Sequence, residues 1–424
     1  MNIVHVQSTP IDNTMVKSYR IKLIPTEEQE KMLWAHVDAM RSVWNWGLSV
    51  NMERFRNGEK HLTKMSLGKI LTELKQNDEG FKWLNEVSVQ TLAMALLDLD
   101  NAYAAFFGIQ KKGPKYTENK IKKFKIRNKK LTPYEMNGHP KYKSKHEAES
   151  KFYTRNDGVY LLKGSVVLEK IGRVKYQTNY AELPIVGKRS ENTTKYINPR
   201  VRYESGKWIL SFGIERESAK RELNDYSVGI DLGVSDLAVY SYDHGTQSGR
   251  AKNVNKKKHV RRLKKRMKRR QRSVSRKYRA NGNHEKTARI VKEEAKIKKL
   301  YRKLANIRHN HAHHATSEII KLSPGRIVIE DLNISGMMKN KHLSEAIAEQ
   351  CLHEFRRQIE YKAKWAGIEV VLADRFYPSS KKCSSCDAIK RDLKLKDRVY
   401  KCDECGLAID RDLNAAKNLE MYAV

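Results

Sequence analysis

Apolar and polar positions follow two periods along this chain, and the changes of period divide it. Tyr19-Arg20-Ile21-Lys22-Leu23 alternates and predicts a strand. Pro25-Thr26-Glu27-Glu28-Gln29 then opens a helix, with Thr26 as cap and Gln29 at the reciprocal capping position. Met32, Leu33, Val37, Met40, Val43 and Trp44 follow, mostly three and four residues apart, and form its core face. The helical period continues over 61–109, with Leu67, Ile70, Leu71 and Leu74 on one face. Val89, Leu92, Ala93, Leu96, Leu97, Leu99 and Tyr103 form another, so a helical bundle is expected. From Val159 to Glu215 the period shortens to two. Strands are predicted at 164–168, 171–176, 194–197 and 208–214, punctuated by Pro184 and Gly206. With the strand at 19–24 they suffice for a small antiparallel barrel interrupted by the helical segment.

After a charged link at 215–224, Tyr226-Ser227-Val228-Gly229-Ile230-Asp231-Leu232-Gly233 reads as a strand with Asp231 at or near its exit. Leu237-Ala238-Val239-Tyr240 reads as its partner. A second apolar strand, Arg326-Ile327-Val328-Ile329-Glu330-Asp331-Leu332, also ends in carboxylates. Between them Val260, Leu263, Met267 and Val274 mark a helix with a narrow apolar stripe and a wide cationic face. A second helical run at 284–320 completes a hairpin. One helix is expected over 342–365, with Ile347, Cys351, Phe355 and Ile359 at four-residue spacing; Cys351 is therefore expected to be buried. A strand follows at 368–373. Near the end, Ile409-Asp410-Arg411-Asp412-Leu413-Asn414-Ala415-Ala416 sets one or two carboxylates at the start of a short amphipathic helix.

Charge changes the picture next. The 424 residues carry a formal net charge of +36, which favours a polyanionic partner, most plausibly nucleic acid. Basic residues over 111–130 interleave with Tyr116 and Phe124, which suits phosphate contact plus base stacking. No segment has the apolar length of a membrane-spanning helix, and no N-terminal stretch has a signal-peptide layout. His309 and His313 share a helix face, as do His311 and His314; structural or nucleic-acid-facing roles are expected for them. Cys383-x-x-Cys386 and Cys402-x-x-Cys405 have the spacing of a four-thiolate zinc site. An Fe–S centre has the same ligands, but nothing in the chain implies electron transfer.

Three carboxylates at element ends, far apart in sequence, suit a two-metal nuclease centre. Carboxylate oxygens are the ligands that Mg²⁺ and Mn²⁺ prefer. At these residues the chain resembles the TnpB family, transposon-encoded relatives of the type V CRISPR effectors. Asp231 at its strand end, Glu330 in Ile-Glu-Asp-Leu, and the run from Asp410 to Ala416 look like that family's three RuvC motifs. The resemblance implies catalytic, metal-binding acids at Asp231, Glu330 and Asp412. Asp412 is preferred to Asp410 because the family motif sets its acid two residues before the Asn-Ala pair, here Asn414-Ala415.

The resemblance also implies an α/β and all-β multidomain architecture. A RuvC/RNase H-like nuclease core with a zinc ribbon insertion would follow a small β-barrel wedge domain, itself interrupted by a helical recognition lobe. The expected segments are 1–25 and 126–220 for the wedge and 26–125 for the lobe. The nuclease is expected at 221–380, with its basic hairpin at 256–320. The ribbon, a target-nucleic-acid-binding module with zinc on Cys383, Cys386, Cys402 and Cys405, is expected at 381–408, and the last nuclease motif and helix at 409–424. The implied activity is RNA-guided cleavage of DNA with two Mg²⁺ (Mn²⁺ as substitute) and one structural Zn²⁺. The partners would be a structured guide RNA and a target DNA duplex. A monomer in the prokaryotic cytoplasm, associated with the nucleoid, is the expected state. The competing readings are a compact type V CRISPR effector, a nuclease-inactive RNA-guided DNA-binding protein and a guide-independent RNase H-like resolvase.

Overall fold

The computed structural model describes residues 14–111, 138–145, 149–180, 183, 196–217, 221–282, 286–394 and 397–422. Most of the basic run at 111–130 lies outside them, as does the start of the chain. The chain divides into two compact units, Met1–Arg216 and Glu217–Val424.

In the first unit, β1 (Thr14–Ile24) leads into the 30-residue α1 (Glu27–Arg56). Thr26 accepts from the Gln29 backbone while the Gln29 side chain accepts from Thr26 N–H, the reciprocal cap that the sequence predicts. Helices α2 (Lys64–Asn77) and α3 (Val89–Lys111) follow, separated by two short turns. The strands are β2 (Lys151–Tyr153), β3 (Val159–Leu162), β4 (Ser165–Leu168), β5 (Gly172–Gln177), β6 (Tyr196–Glu204) and β7 (Lys207–Glu217). With β1 they form one seven-stranded sheet in the order β2-β6-β7-β1-β5-β4-β3. The expected barrel would need its end strands paired; among the described residues β2 and β3 end the sheet, and no ladder joins them. Helices and sheet share one core: Leu33, Val37 and Val43 of α1 belong to the same buried cluster as Ile21, Val174 and Leu210.

The second unit is built on a five-stranded mixed sheet in the order β10-β9-β8-β11-β12. Its strands are β8 (Asn224–Leu232), β9 (Asp236–Tyr242), β10 (Gln247–Lys252), β11 (Pro324–Glu330) and β12 (Glu369–Ala373). β8, β9 and β10 are antiparallel neighbours, whereas β11 runs parallel to both β8 and β12. Between β10 and β11 rises a helical hairpin, α4 (Lys258–Ala280) and α5 (Ala288–Lys321). Val260 and Met267 of its first arm meet Leu300 and Leu304 of the second in a small core of their own.

Two further helices, α6 (Ser344–Gln350) and α7 (Leu352–Ala366), replace the single helix expected over 342–365. The break is Cys351, whose φ of 56° is left-handed; it is half-buried, not a core residue. The last elements are the ribbon strands β13 (Val399–Lys401) and β14 (Ala408–Asp410), then α8 (Arg411–Glu420).

Side-chain alternation sorts the sheet's two faces. Val228, Ile230 and Leu232 of β8 and Ile327 and Ile329 of β11 pack with Ile319 of α5 and Phe355 and Ile359 of α7. The intervening Val328 packs with Leu419 of α8 on the other face. The same alternation turns Asp231 and Glu330 toward the α8 face.

Candidate metal centre

β8 and β11 are in parallel register with Ile230 opposite Ile329. One step further, Asp231 and Glu330 stand side by side where the two strands end, on neighbouring backbones about 4.8 Å apart. α8 brings the third carboxylate to them. It lies against β8 at Gly229, where a methyl group would collide with the Ala416 carbonyl oxygen and the Glu420 backbone. That close approach holds the first turn of α8, with Asp412 in it, beside the strand ends.

The electrostatics record the convergence. Burial, then the charges of Glu330 and Asp412, push the Asp231 carboxyl well above the usual range; Arg411 opposes them. Burial also raises Glu330, against a hydrogen bond from the Ser379 hydroxyl and the charge of Arg411. The carboxylates nearby are occupied differently. Asp410 caps α8, accepting from Leu413 N–H at 3.0 Å, and pairs with Arg250 at 2.7 Å. Asp236 meets the same arginine at 3.4 Å. Asp331 pairs with Arg356 at 3.0 Å and with Arg375. Among the described residues no ion pair joins Asp231, Glu330 or Asp412 to a cation. A group of hard oxygen donors whose charge Arg411 offsets only in part fits Mg²⁺ or Mn²⁺ in chemistry.

The cysteines are gathered more tightly. The Sγ atoms of Cys383, Cys386, Cys402 and Cys405 all lie within 4.8 Å of one another, the one such group of three or more candidate ligands among the described residues. Cys383 and Cys405 are 3.6 Å apart and Cys386 and Cys402 are 3.5 Å apart. A tetrahedral zinc with Zn–S of about 2.3 Å requires sulfur–sulfur edges of about 3.8 Å, so the set fits Zn²⁺ with small adjustments. Each Cys-x-x-Cys pair closes the same turn. Cys383 N–H donates to Ala388 and Asp387 N–H to Cys383; Cys402 N–H donates to Leu407 and Gly406 N–H to Cys402. Asp387 and Gly406 take the left-handed conformation at φ 62° and 71°. Tyr400, fully buried between the pairs, donates to the Lys381 carbonyl at 3.2 Å.

Two buried asparagines tie this cluster to the carboxylates. Asn414 donates to the Lys382 carbonyl at 2.7 Å and accepts from Ser384 N–H at 3.0 Å. Asn418 donates to the Ser379 and Lys382 carbonyls, both at 2.7 Å. α8 is thus laced to the segment that carries both Cys383 and Ser379, the donor to Glu330. Sequence reasoning used Asn414 only as a landmark and missed Ser379, Asn418, Arg250 and Arg411. The polar run Tyr377-Pro378-Ser379-Ser380 before the first cysteine was the available signal, but no periodicity marks which serine turns inward.

Three of the histidines make polar contacts. His311 contacts the Lys252 carbonyl at 2.7 Å, and His309 and His313 contact each other, Nε2 to Nε2, at 3.0 Å. No helix among the described residues is long and apolar enough to cross a membrane.

Comparisons with known proteins agree with this layout. Three family models match in order: "Helix-turn-helix domain" over 15–60, "Probable transposase" over 211–341 and "Cas12f1-like, TNB domain" over 353–419. The first label does not describe the geometry here, where those residues form β1 and one uninterrupted α1. A "Putative RNA-guided DNA endonuclease" of Streptomyces pristinaespiralis is 28% identical over 95% of this chain and 88% of its own length. The "Putative RNA-guided DNA endonuclease InsQ" of Escherichia coli (strain K12) is 26% identical over 95% and 91%. The Cas12f1 chain in a cryo-EM structure of a Cas12f1–sgRNA–target DNA complex shares the fold, with a TM-score of 0.52 at 16% identity, over 96% of this chain and 99% of that one. The mixed α/β multidomain fold with its four-cysteine cluster is consistent with a RuvC-like nuclease family. Over nearly its whole length the chain is similar to the TnpB/Cas12f-like family of transposon-encoded RNA-guided nucleases.

Proposed function

We propose that this protein is an RNA-guided DNA endonuclease that hydrolyses phosphodiester bonds of target DNA at Asp231, Glu330 and Asp412. One observation carries the reading: the Asp231 carboxyl is pressed by burial and by the charges of Glu330, Asp412 and Asp410, with Arg411 only partly opposing them. These three carboxylates would hold two Mg²⁺ or Mn²⁺ ions, which would supply an activated water and neutralise the leaving oxygen. Asp231, whose carboxyl feels the charges of both Glu330 and Asp412, would be a ligand held in common with them. Glu330 is oriented by the Ser379 hydroxyl, and Asp412 by the capped first turn of α8. Asp410, Asp236 and Asp331 orient the surroundings through their arginines. Zn²⁺ on Cys383, Cys386, Cys402 and Cys405 would staple a module whose own buried cluster is small, Cys383, Tyr400 and Cys402.

The RuvC/RNase H-like core is assigned to 221–380 and 409–424, with the basic hairpin at 256–320 and the ribbon at 381–408. The wedge is assigned to 1–25 and 126–220 and the recognition lobe to 26–125. Guide RNA supplies sequence choice through pairing, and the excess positive charge supplies phosphate contact. We assign the protein to the prokaryotic cytoplasm, consistent with its bacterial relatives.

The test is purification without nuclease treatment, RNA sequencing, and cleavage of a guide-matched DNA in Mg²⁺. A defined structured RNA is expected. Asp231→Ala, Glu330→Ala and Asp412→Ala are each expected to lose cleavage by at least about 10³-fold, with DNA affinity and melting temperature retained. Asp410→Ala is expected to lose about 1 kcal/mol of stability through its cap and to keep cutting. Full cleavage by the Asp231 variant would sink the assignment. Loss with Asp410→Ala but not with Asp412→Ala would transfer the role to Asp410.

A further inference from the structure

Phe376 is 88% exposed, the most exposed large apolar side chain among the described residues. Its surroundings are held firmly. Phe376 N–H donates to Asp374 Oδ1 at 2.7 Å, and Asp374 N–H in turn donates to the Tyr422 hydroxyl at 3.2 Å. On one side Arg375 is paired with Asp331, the residue after Glu330. On the other, Tyr377 packs edge-on against Tyr422 with ring centroids 4.8 Å apart and donates to the Asn418 carbonyl at 3.1 Å. Two residues beyond Tyr377, Ser379 donates to Glu330. An aromatic ring therefore projects into solvent from a turn whose flanks are both fastened to the carboxylate centre. Burial contributes little to keeping the ring there.

We propose that Phe376 is a stacking platform for a base of the DNA strand presented to the carboxylates. The inference rests on the nuclease reading above. Protein docking sites are contiguous apolar patches, whereas this ring directly follows the exposed, charged Asp374 and Arg375. An exposed flat ring on a chain of net charge +36 matches a nucleotide, whose base offers a π face and whose phosphates are attracted by that overall charge. Every base has that face, so the contact is independent of sequence and leaves selection to the guide. Its use is positional: a base held on a rigid turn fixes the register of the neighbouring phosphodiester against Asp231, Glu330 and Asp412.

The experiment uses the full protein–guide RNA complex and a matched DNA carrying 2-aminopurine beside the cleavage position. Stacking is read as fluorescence quenching in Ca²⁺ and the cutting rate is read in Mg²⁺. Phe376→Ala and Phe376→Leu are expected to lose the quenching and to slow cleavage about tenfold, with melting temperature and guide affinity unchanged. Phe376→Trp and Phe376→Tyr are expected to restore both, which a merely apolar or structural role would not require. Quenching and cleavage at wild-type level in Phe376→Ala would overturn the proposal. So would a Phe376→Ala effect confined to sedimentation, since that would mark a contact between copies of the chain. If the wild-type complex does not cut matched DNA, the nuclease reading falls, and the fluorescence still decides whether the ring stacks.

Discussion

Gly229 has no side chain because the backbone of α8 occupies the place of one. A Cβ there would meet the Ala416 carbonyl and the Glu420 main chain, neither of which can rotate away. Gly229→Ala is therefore expected to cost about 3 kcal/mol or more of stability in the second unit, read as a shift in urea midpoint. The sequence marks this glycine only as a neighbour of Asp231, since one chain does not say which backbone will approach it. The acids themselves were more legible: each sits at the end of an element that periodicity predicts. Choosing Asp412 over Asp410 needed a family motif. The structure adds a physical ground for that choice, since Asp410 is already committed to capping α8 and to Arg250. Ser379 was not legible, because its hydrogen bond to Glu330 depends on a turn that only α8 and the cysteine module fix.

At the scale of elements, the seam between α5 and α7 holds two groups with displaced titrations. Burial, then the charges of His309 and Lys362, bring His313 down to about 4 from an ordinary 6.5, with Glu354 opposing and Arg357 adding to the shift. Hydrogen bonds from Arg357 and Gln358 hold Glu354 down at about 2 against an ordinary 4.5. Both folded values lie below the unfolded ones, so both groups contribute stability that is complete at neutral pH and lost on acidification. His313 gives up its share between pH 6.5 and about 4, and Glu354 between 4.5 and about 2. His313→Gln is expected to flatten the first limb and Glu354→Gln the second, by about 1 kcal/mol each after solvent screening, in urea midpoints taken across pH. The helices of this seam were legible from apolar spacing. The break at Cys351 was not, because neither Gly nor Pro announces it. β10 was missed for a different reason: Gln-Ser-Gly-Arg-Ala-Lys has no apolar alternation, and an edge strand with one buried residue needs none.

At the scale of the whole molecule, the four cysteines tie residues 383–405 into one knot, and asparagines tie that knot to α8. Elemental analysis is expected to find about one Zn²⁺ per chain. Cys402→Ser or a strong chelator is expected to remove it and to destabilise the second unit by several kcal/mol. The core of the first unit should melt unchanged, since its buried cluster contains none of these residues. Unaltered zinc content in Cys402→Ser would refute the four-cysteine assignment. Overall charge and the cysteine spacing made a polyanion partner and a metal module readable from the sequence. The strand order β10-β9-β8-β11-β12 was not, because pairing across the long hairpin insertion leaves no local trace. The order in which the acids occur along the chain has a consequence for synthesis. Asp231 and Glu330 are made early, but β8 keeps a bare glycine face until α8 emerges and lies across it. A chain still lacking residues 411–420 has two of the proposed acids and no third, and its Glu330 is held by a segment without its asparagine lacing. The proposed cutting centre is therefore completed only once α8 has been made, after the elements assigned to guide binding. A chain interrupted before α8 is left without the proposed blade.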